Sequence, residues 1–428
     1  MDKNKRLTVW LPVIIAASIA LGIFIGNHYL SISQGKKRSY SSGNKINAIL
    51  DIIDEQYVDT VSMSKLVEST IPKIFSELDP HSVYIPAEDA SVVNEELEGS
   101  FSGIGVSFNM QTDTILVISV ISGGPAEKAG LLPFDRIISI NDSIFSGKKK
   151  NQGEIMKTLR GAKNSTVKLG VQRGNSPELL YFDVTRGDVP VNSVDVSYEA
   201  AKGIGYIKVS KFARNTYNEF ITAIAKLKQA GCTSFVIDLR GNTGGYMDAA
   251  INMINEFMPE GRLIVYTEGK SFPRSDVYAN GTGTCKDAPI VVLTDEISAS
   301  ASEIFSGAIQ DNDRGTIIGR RTYGKGLVQT QMSLSDGSEM RLTIARYYTP
   351  SGRCIQKKYE MGNTDAYDQD IYNRYMHGEF DSADSIKMDD SLKYQTVGGR
   401  TVYGGAVSCQ ISLSLVIRVA LPLTTLMW

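Results

Sequence analysis

Residues 296–304 read EISASASEI, with Ser298, Ser300 and Ser302 at every second position and Glu303 behind them. A serine at the mouth of a helix can cap that helix. It can also attack a carbonyl carbon where helix N–H groups and dipole meet developing negative charge. Ser300-Ala301-Ser302-Glu303 satisfies the S-x-x-E capping box, a role that stabilises a helix by about 1 kcal/mol. A nucleophile also needs a base, and the chain has only three histidines. The absence of a G-x-S-x-G elbow disfavours an ordinary Ser-His-Asp hydrolase. Lys325 offers another base: in RRTYGKGLVQTQ it stands between Gly324 and Gly326, where bare backbone permits close approach. Turn lysines are ordinarily solvated. To act near neutrality, one must fall from about 10.4 to about 7.5, a shift worth about 4 kcal/mol that burial can supply.

The elements around these residues read as α/β. GIGYIKVS and SFVIDL are strand-like, the second running into R-G-N-T-G-G, and RLIVYTE and APIVVLT follow. Between them, Tyr217, Phe220, Ile221, Ile224 and Leu227 share one helical face, and a second helix is predicted from about Tyr246 to Phe257. Strands alternating with helices imply a mostly parallel sheet covered on both faces, with functional groups at strand ends. APIVVLT leads directly into the serine segment.

Upstream, from Gly99 to about Arg186, the texture changes to short strands: FSGIGVSF, TILVISVI, DRIISIN, TVKLGVQR and LLYFDVTR. Two short helices, PAEKAG and NQGEIMKTLR, interrupt them. Ser102-Gly103-Ile104-Gly105-Val106 resembles the carboxylate-binding loop of a PDZ domain, and SGGPAEKAGLLPFDRIISIND resembles the stretch that accompanies it. The resemblance implies that Gly103, Ile104, Gly105 and Val106 grip the C-terminal carboxylate of a protein tail, whose strand adds to the sheet edge. Before this module, Ile46, Ile49, Leu50 and Ile53 make one apolar helical stripe, and Leu66, Ile71, Ile74 and Phe75 another. LDPHSVYIP, with His81, follows them.

Taken together, LDPHSVY, the PDZ stretch, DLRGNTGG, SASASEI, TYGKGLVQ, YTPSGRCIQ and GRTVYGG resemble the C-terminal processing peptidases, or tail-specific proteases. The match runs from about Asn44 to Gly405. It implies a multidomain α/β chain with a helical segment, a β-rich PDZ module and a crotonase-like α/β serine protease core. By that resemblance Ser300 is the nucleophile, Lys325 the general base and Gln329 the residue that positions the lysine. The oxyanion hole is the N–H of Ala301 with that of Gly244 or Gly245, and Ser298 and Ser302 are structural. In a straight strand Lys325 and Gln329 lie about 13 Å apart, so the reading requires a bend at Gly326. The implied reaction is peptide hydrolysis through an acyl-enzyme, with no cofactor or metal. Its substrates are extracytoplasmic proteins with apolar C-termini. A catalytically inactive PDZ peptide-binding protein is the alternative, and a hydrolase using His81 or His377 ranks third.

The amino terminus bears on the compartment. MDKNKR precedes the uncharged run Leu7 to Ile25, and a helix of that length spans roughly 28 Å, close to a bilayer core. Lys3, Lys5 and Arg6 place the N-terminus inside. The expectation is a single-pass inner-membrane anchor with the catalytic part periplasmic. A cleaved signal peptide is the rival reading, disfavoured by the length of the run and the lack of a small-x-small site after it. Domain boundaries follow: 1–26 anchor, 27–43 polar stalk, 44–97 helical segment, 98–187 PDZ, 188–405 protease core and 406–428 an atypical tail. Relatives continue after GRTVYGG with a G-G-I-M-P-D-like stretch, whereas this chain reads AVSCQI. AVSCQI can be encoded by codons that, read from their third base, give G-I-M-P-D, so a frameshift near Gly405 is the expectation and a second membrane segment the alternative. A net charge of −2 disfavours nucleic-acid binding. The four cysteines lack metal or redox spacing. A homo-oligomer is compatible with all of this.

Overall fold

The computed structural model describes residues 16–21, 42–111, 114–144, 152–380, 382, 385–407 and 411–412. It divides into two units, Met1–Thr70 and Ile71–Trp428. Of the expected membrane run Leu7–Ile25, only residues 16–21 are described, and they are helical; the rest lies outside the described residues. Among the described residues no helix is long and apolar enough to cross a membrane. The helices Ser42–Gln56 and Met63–Ser76 follow the two predicted stripes. Ile46 and Ile49 remain about half exposed, at 51% and 47%.

Strand β1 (Val83–Ile85) comes next, then the Ala87–Glu98 helix, whose first turn carries Glu88 and Asp89 where the dipole favours anions. That helix ends at Gly99, and β2 (Ser100–Gly103) leads into the β-rich module. Its strands are β3 (Val106–Gln111), β4 (Thr114–Val120), β5 (Arg136–Ile140), β6 (Ser143–Ile144), β7 (Thr166–Gln172) and β8 (Leu180–Thr185). They form an antiparallel sheet in the order β3-β4-β5-β7-β8, with β6 on β5 and β3 at an edge. The predicted run FSGIGVSF is two strands, not one, because the chain turns at Ile104-Gly105. Inward residues Val117, Ile137, Val167, Leu169 and Val184 pack with Ile155 and Leu159 of the Gln152–Leu159 helix into one apolar cluster. β9 (Gly187–Pro190) leaves the module antiparallel to β2, with Gly103 opposite Gly187.

In the core, β10 (Val194–Ala201) pairs antiparallel with β11 (Ile204–Val209), and β11 lies parallel to β12 (Ser234–Asp238). β13 (Leu263–Glu268) and β14 (Ser275–Tyr278) form a hairpin; β15 (Ile290–Thr294) lies parallel to β12, and β16 (Thr316–Gly319) parallel to β15. Helices Thr216–Gln229, Met247–Asn255 and Ala301–Asp311 contribute to the core cluster with these strands. At its centre the Phe257 ring meets Phe220, Phe235 and Phe305 edge-on, with centroids at 6.2, 6.3 and 6.4 Å. Edge-to-face geometry is the favoured aromatic arrangement. The expected parallel sheet is thus present, with β10 as its antiparallel edge.

A second, antiparallel sheet lies outside the expected parallel one. β17 (Leu327–Ser333) pairs with the long β18 (Glu339–Tyr348), which also pairs with β13 and with β1. β1 therefore belongs to the core sheet although it precedes the PDZ-like module in the chain. The Thr364–Met376 helix and the hairpin β19 (Lys393–Gln395) and β20 (Thr401–Tyr403) follow. Ala406 and Val407 are buried, and β21 (Ile411–Ser412) lies parallel to β16.

Arg353, from the YTPSGRCIQ stretch, anchors the end of the Ala301–Asp311 helix. Its guanidinium donates to Asp311 Oδ1 and to Gln310 Oε1 at 2.7 Å each, and to the Tyr403 carbonyl at 2.7 Å. Both partners of the ion pair are fully buried. Removing one partner of such a pair strands a desolvated charge. Arg353→Ala is therefore expected to cost about 3–5 kcal/mol, measured by urea denaturation.

Candidate active site

Strand β15 delivers the serine segment to the end of the parallel sheet, and the three hydroxyls part company there. Ser298 and Ser302 are fully buried. Ser298 donates its hydroxyl to the Leu239 carbonyl at 2.8 Å, and Ser302 to the Asn242 carbonyl at 2.9 Å. Those two serines stitch the segment to the loop that follows β12. Ser300 takes no part in that stitching and is only half-buried. Its backbone sits at φ 54°, ψ −114°, a region that costs a non-glycine residue about 1–3 kcal/mol and persists only where surroundings over-determine it.

Those surroundings begin with the loop Arg240–Tyr246. Asp295 accepts the Gly241 N–H at 2.9 and 3.0 Å, and Asn242 reaches the Val209 carbonyl through Nδ2 at 3.0 Å. Gly244 has φ 103°, and a Cβ there would stand 2.7 Å from the Ser300 Cβ. Only glycine fits so close to the serine. The Gly244 N–H donates to Asn242 Oδ1 at 2.8 Å, so it is already engaged. Gly244 also accepts from Phe212 N at 2.9 Å, and Tyr246 N donates to the Phe212 carbonyl at 2.7 Å. Among the described residues, the N–H groups of Gly245 and Ala301 find no acceptor. Of the two glycines offered by the sequence, the free donor is Gly245.

Lys325 reaches the site from an irregular segment; β17 begins only at Leu327. The connection between the serine and lysine segments is Glu303. Its fully buried carboxylate accepts from Ser300 N at 2.9 Å, Thr322 Oγ1 at 2.5 Å, Gly324 N at 2.8 Å and Lys325 N at 2.8 Å. Burial pushes Glu303 up to about 7, against the downward pull of those donors. Tyr347, also buried, has its hydroxyl within reach of the Ser300 carbonyl at 3.1 Å and of the Lys325 carbonyl. One carboxylate and one phenol thus clasp both backbones.

The lysine ammonium donates to Gln329 Oε1 at 3.0 Å, and Gln329 Nε2 donates to the His81 carbonyl. A carbonyl can only accept, so that contact turns the amide oxygen toward the lysine. The contact also resolves the 13 Å problem of a straight strand. Lys325 lies outside the paired strand, and a register shift against β18 falls between Val328 and Gln329. The left-handed turn is made by Gly324, φ 91°, where a side chain would meet the Gly405 carbonyl. Gly326 serves close approach, since a Cβ there would lie 2.5 Å from Gln356 N. Burial, seconded by the Arg341 charge, pushes Lys325 below its ordinary value, while Asp79 and Glu303 pull the other way.

His81 meets this arrangement through its backbone carbonyl. The LDPHS turn is built on Asp79, which accepts from His81 N at 3.0 Å, Ser82 Oγ at 2.5 Å and Thr343 Oγ1 at 2.9 Å. Thr343 stands opposite Gln329 across β17 and β18. The His81 ring meets the Tyr367 hydroxyl at 2.9 Å, and burial, then the charge of Lys325, drive its pKa down to about 4. His377 is exposed, with Nδ1 on the Asn373 carbonyl at 2.6 Å.

In the β-rich module, Gly103, Ile104 and Gly105 are buried. The Ile104 carbonyl accepts from Ala126 N at 2.7 Å, and that of Gly105 from Ile121 N at 2.9 Å. Val106, Phe108 and Met110 of edge strand β3 pack against the cluster that holds Ile155 and Leu159. An open strand edge beside an apolar helix can take up an added strand.

The family model described as "Peptidase family S41" matches residues 203–365, and that described as "PDZ domain" matches 102–195. The carboxy-terminal processing protease CtpB of Bacillus subtilis (strain 168) is 35% identical over 318 residues, covering 74% of this chain and 66% of that protein. A probable CtpA-like serine protease of Staphylococcus aureus (strain N315) is 33% identical over 365 residues, covering 83% and 72%. Among solved structures, the photosystem II D1 C-terminal processing protease is 28% identical, with a TM-score of 0.41 over 74% of this chain and 91% of that one.

Proposed function

The chain belongs to the C-terminal processing peptidases of family S41, serine proteases with an embedded PDZ domain, and on that premise we propose that Ser300 and Lys325 are its catalytic pair. The observation that carries this reading is the Glu303 carboxylate, which holds the N–H of Ser300 and that of Lys325 at 2.9 and 2.8 Å. Neutral Lys325 takes the hydroxyl proton as Ser300 Oγ bonds to the scissile carbonyl carbon. The carbonyl oxygen gains the displaced electron pair and is met by the N–H groups of Ala301 and Gly245. Lys325 then returns the proton to the leaving amine, and the C–N bond breaks. Water, giving its proton to the lysine in turn, hydrolyses the acyl-serine. Gln329 orients the lysine.

The core is assigned to the crotonase-like class. The Leu7–Ile25 run is read as the anchor in the cytoplasmic membrane, with the catalytic part on its outer face. Substrates are proteins with loose, apolar C-termini. Their tails add to β3, and the terminal carboxylate is held at Gly103, Ile104, Gly105 and Val106.

A disordered reporter ending in apolar residues tests the reading. The chain is expected to cleave it, and amidating its C-terminus should lower kcat/KM by about tenfold or more. A fluorophosphonate should label Ser300, located by peptide mass mapping. Absence of both turnover and a Ser300 adduct overturns the proposal; tail binding alone would then mark a peptide-binding protein. Gly244→Ala is expected to lower kcat by about 10²–10³, as loss of an oxyanion donor does, because its methyl would displace Ser300 and Ala301. Steady-state kinetics on the same reporter measures this.

A further inference from the structure

The last turns of the Ala87–Glu98 helix, where the chain enters the PDZ domain, hold three parts of the molecule at once. Asn94 Nδ2 donates to Glu339 at 3.0 and 3.2 Å, and Gln331 Nε2 donates to Asn94 Oδ1 at 2.6 Å. Gln331 lies two residues beyond Gln329 on β17. Glu95 accepts from Arg160 at 3.0 Å and from Ser102 N at 3.4 Å. Arg160 follows the PDZ helix Gln152–Leu159, and Ser102 precedes the carboxylate loop. Glu98 accepts from Arg214 Nε and Nη2 at 2.8 Å each and from the Tyr246 hydroxyl at 3.0 Å. Residues three and four apart on a helix share a face, so one short surface carries all three grips.

The third grip bears on the chemistry. Tyr246 directly follows Gly245, and Arg214 lies two residues past Phe212. Phe212 and Gly245 are joined as an isolated parallel bridge. Both segments of that bridge therefore end in a side chain that holds the same carboxylate, and the Arg214 guanidinium lies 5.4 Å from the centre of the Tyr246 ring. The pair is open to solvent, with side chains 67% and 44% exposed. An exposed ion pair adds little to global stability and opens easily.

We propose that Glu98 is a positioning residue for the oxyanion loop. The inference rests on the Ser300 and Gly245 assignments above. Loss of this grip then acts on kcat rather than on substrate binding.

The test uses the full chain. Glu98→Arg and Arg214→Glu should each lower kcat about tenfold with KM changed less than about twofold, and the charge-swapped double variant should recover to within about threefold of the parent. Amide exchange over residues 241–247 should quicken in each single variant and return in the double. Unaltered kcat and exchange in the single variants overturn the proposal, as does a loss that the swap fails to restore. If the parent itself shows no turnover, the protease reading fails, and the exchange measurements still decide the role of Glu98.

Discussion

Ser300→Ala is expected to lower kcat by about 10⁴-fold or more while leaving the fold and tail binding unchanged. The substitution removes one oxygen from a half-buried side chain. It keeps the backbone bond from Ser300 N to Glu303 and that from Tyr347 to the Ser300 carbonyl. The strained φ of 54° is held by these backbone contacts, and the hydroxyl adds the capping-box bond from the Glu303 N–H. Loss of a capping hydroxyl costs about 1 kcal/mol, so thermal unfolding should shift by only a few degrees. The fluorophosphonate adduct should disappear. Retained turnover would move the nucleophile to Ser298 or Ser302, whose hydroxyls are committed to the Leu239 and Asn242 carbonyls.

Lys325→Ala should cost kcat about 10⁴-fold as well, and the pH profile distinguishes a base from a structural cation. Only the neutral amine can accept the serine proton, so kcat/KM should rise with pH through the lysine pKa. Burial and Arg341 lower that value, which places the rising limb below 10.5. Removing Arg341 as Arg341→Met deletes a like charge, raises the lysine pKa and should move the limb to higher pH. Folding carries the same sign. Between the lowered pKa and 10.5, the unfolded chain binds more protons, so the stability linked to Lys325 increases with pH across that window. A limb that stays in place without Arg341 would assign the ionisation to another group.

The residues of this site are readable in the sequence largely one at a time, and their partnerships are not. S-x-x-E marks Glu303 as a helix-capping residue. Nothing local shows that the same carboxylate also receives Gly324 and Lys325, because those donors come from a segment placed by tertiary packing. The alternation of IVVLT and SFVID announces buried strands, and β15 and β12 follow them. The antiparallel sheet of β17 and β18 escapes because its faces mix buried and half-buried positions with no clear period. LDPHSVY looks like a turn with a histidine. Its use lies in the His81 carbonyl, a group that side-chain chemistry cannot flag. The bend expected at Gly326 falls to Gly324 and to a strand irregularity, since one residue of slippage in a ladder has no compositional signature.

The stem formed by β2 and β9 bears on how such a chain could have arisen. Gly103 and Gly187 are cross-strand neighbours, and neighbouring strands lie about 5 Å apart, a gap that two residues close as a hairpin. The PDZ domain is thus an insertion whose ends emerge side by side, and its gain or loss needs one event at one locus. β1 has no such freedom: it lies upstream of the insertion and completes the sheet downstream of it. A lineage could shed its peptide reader and keep a closed catalytic body, but it could not shed the segment before the reader.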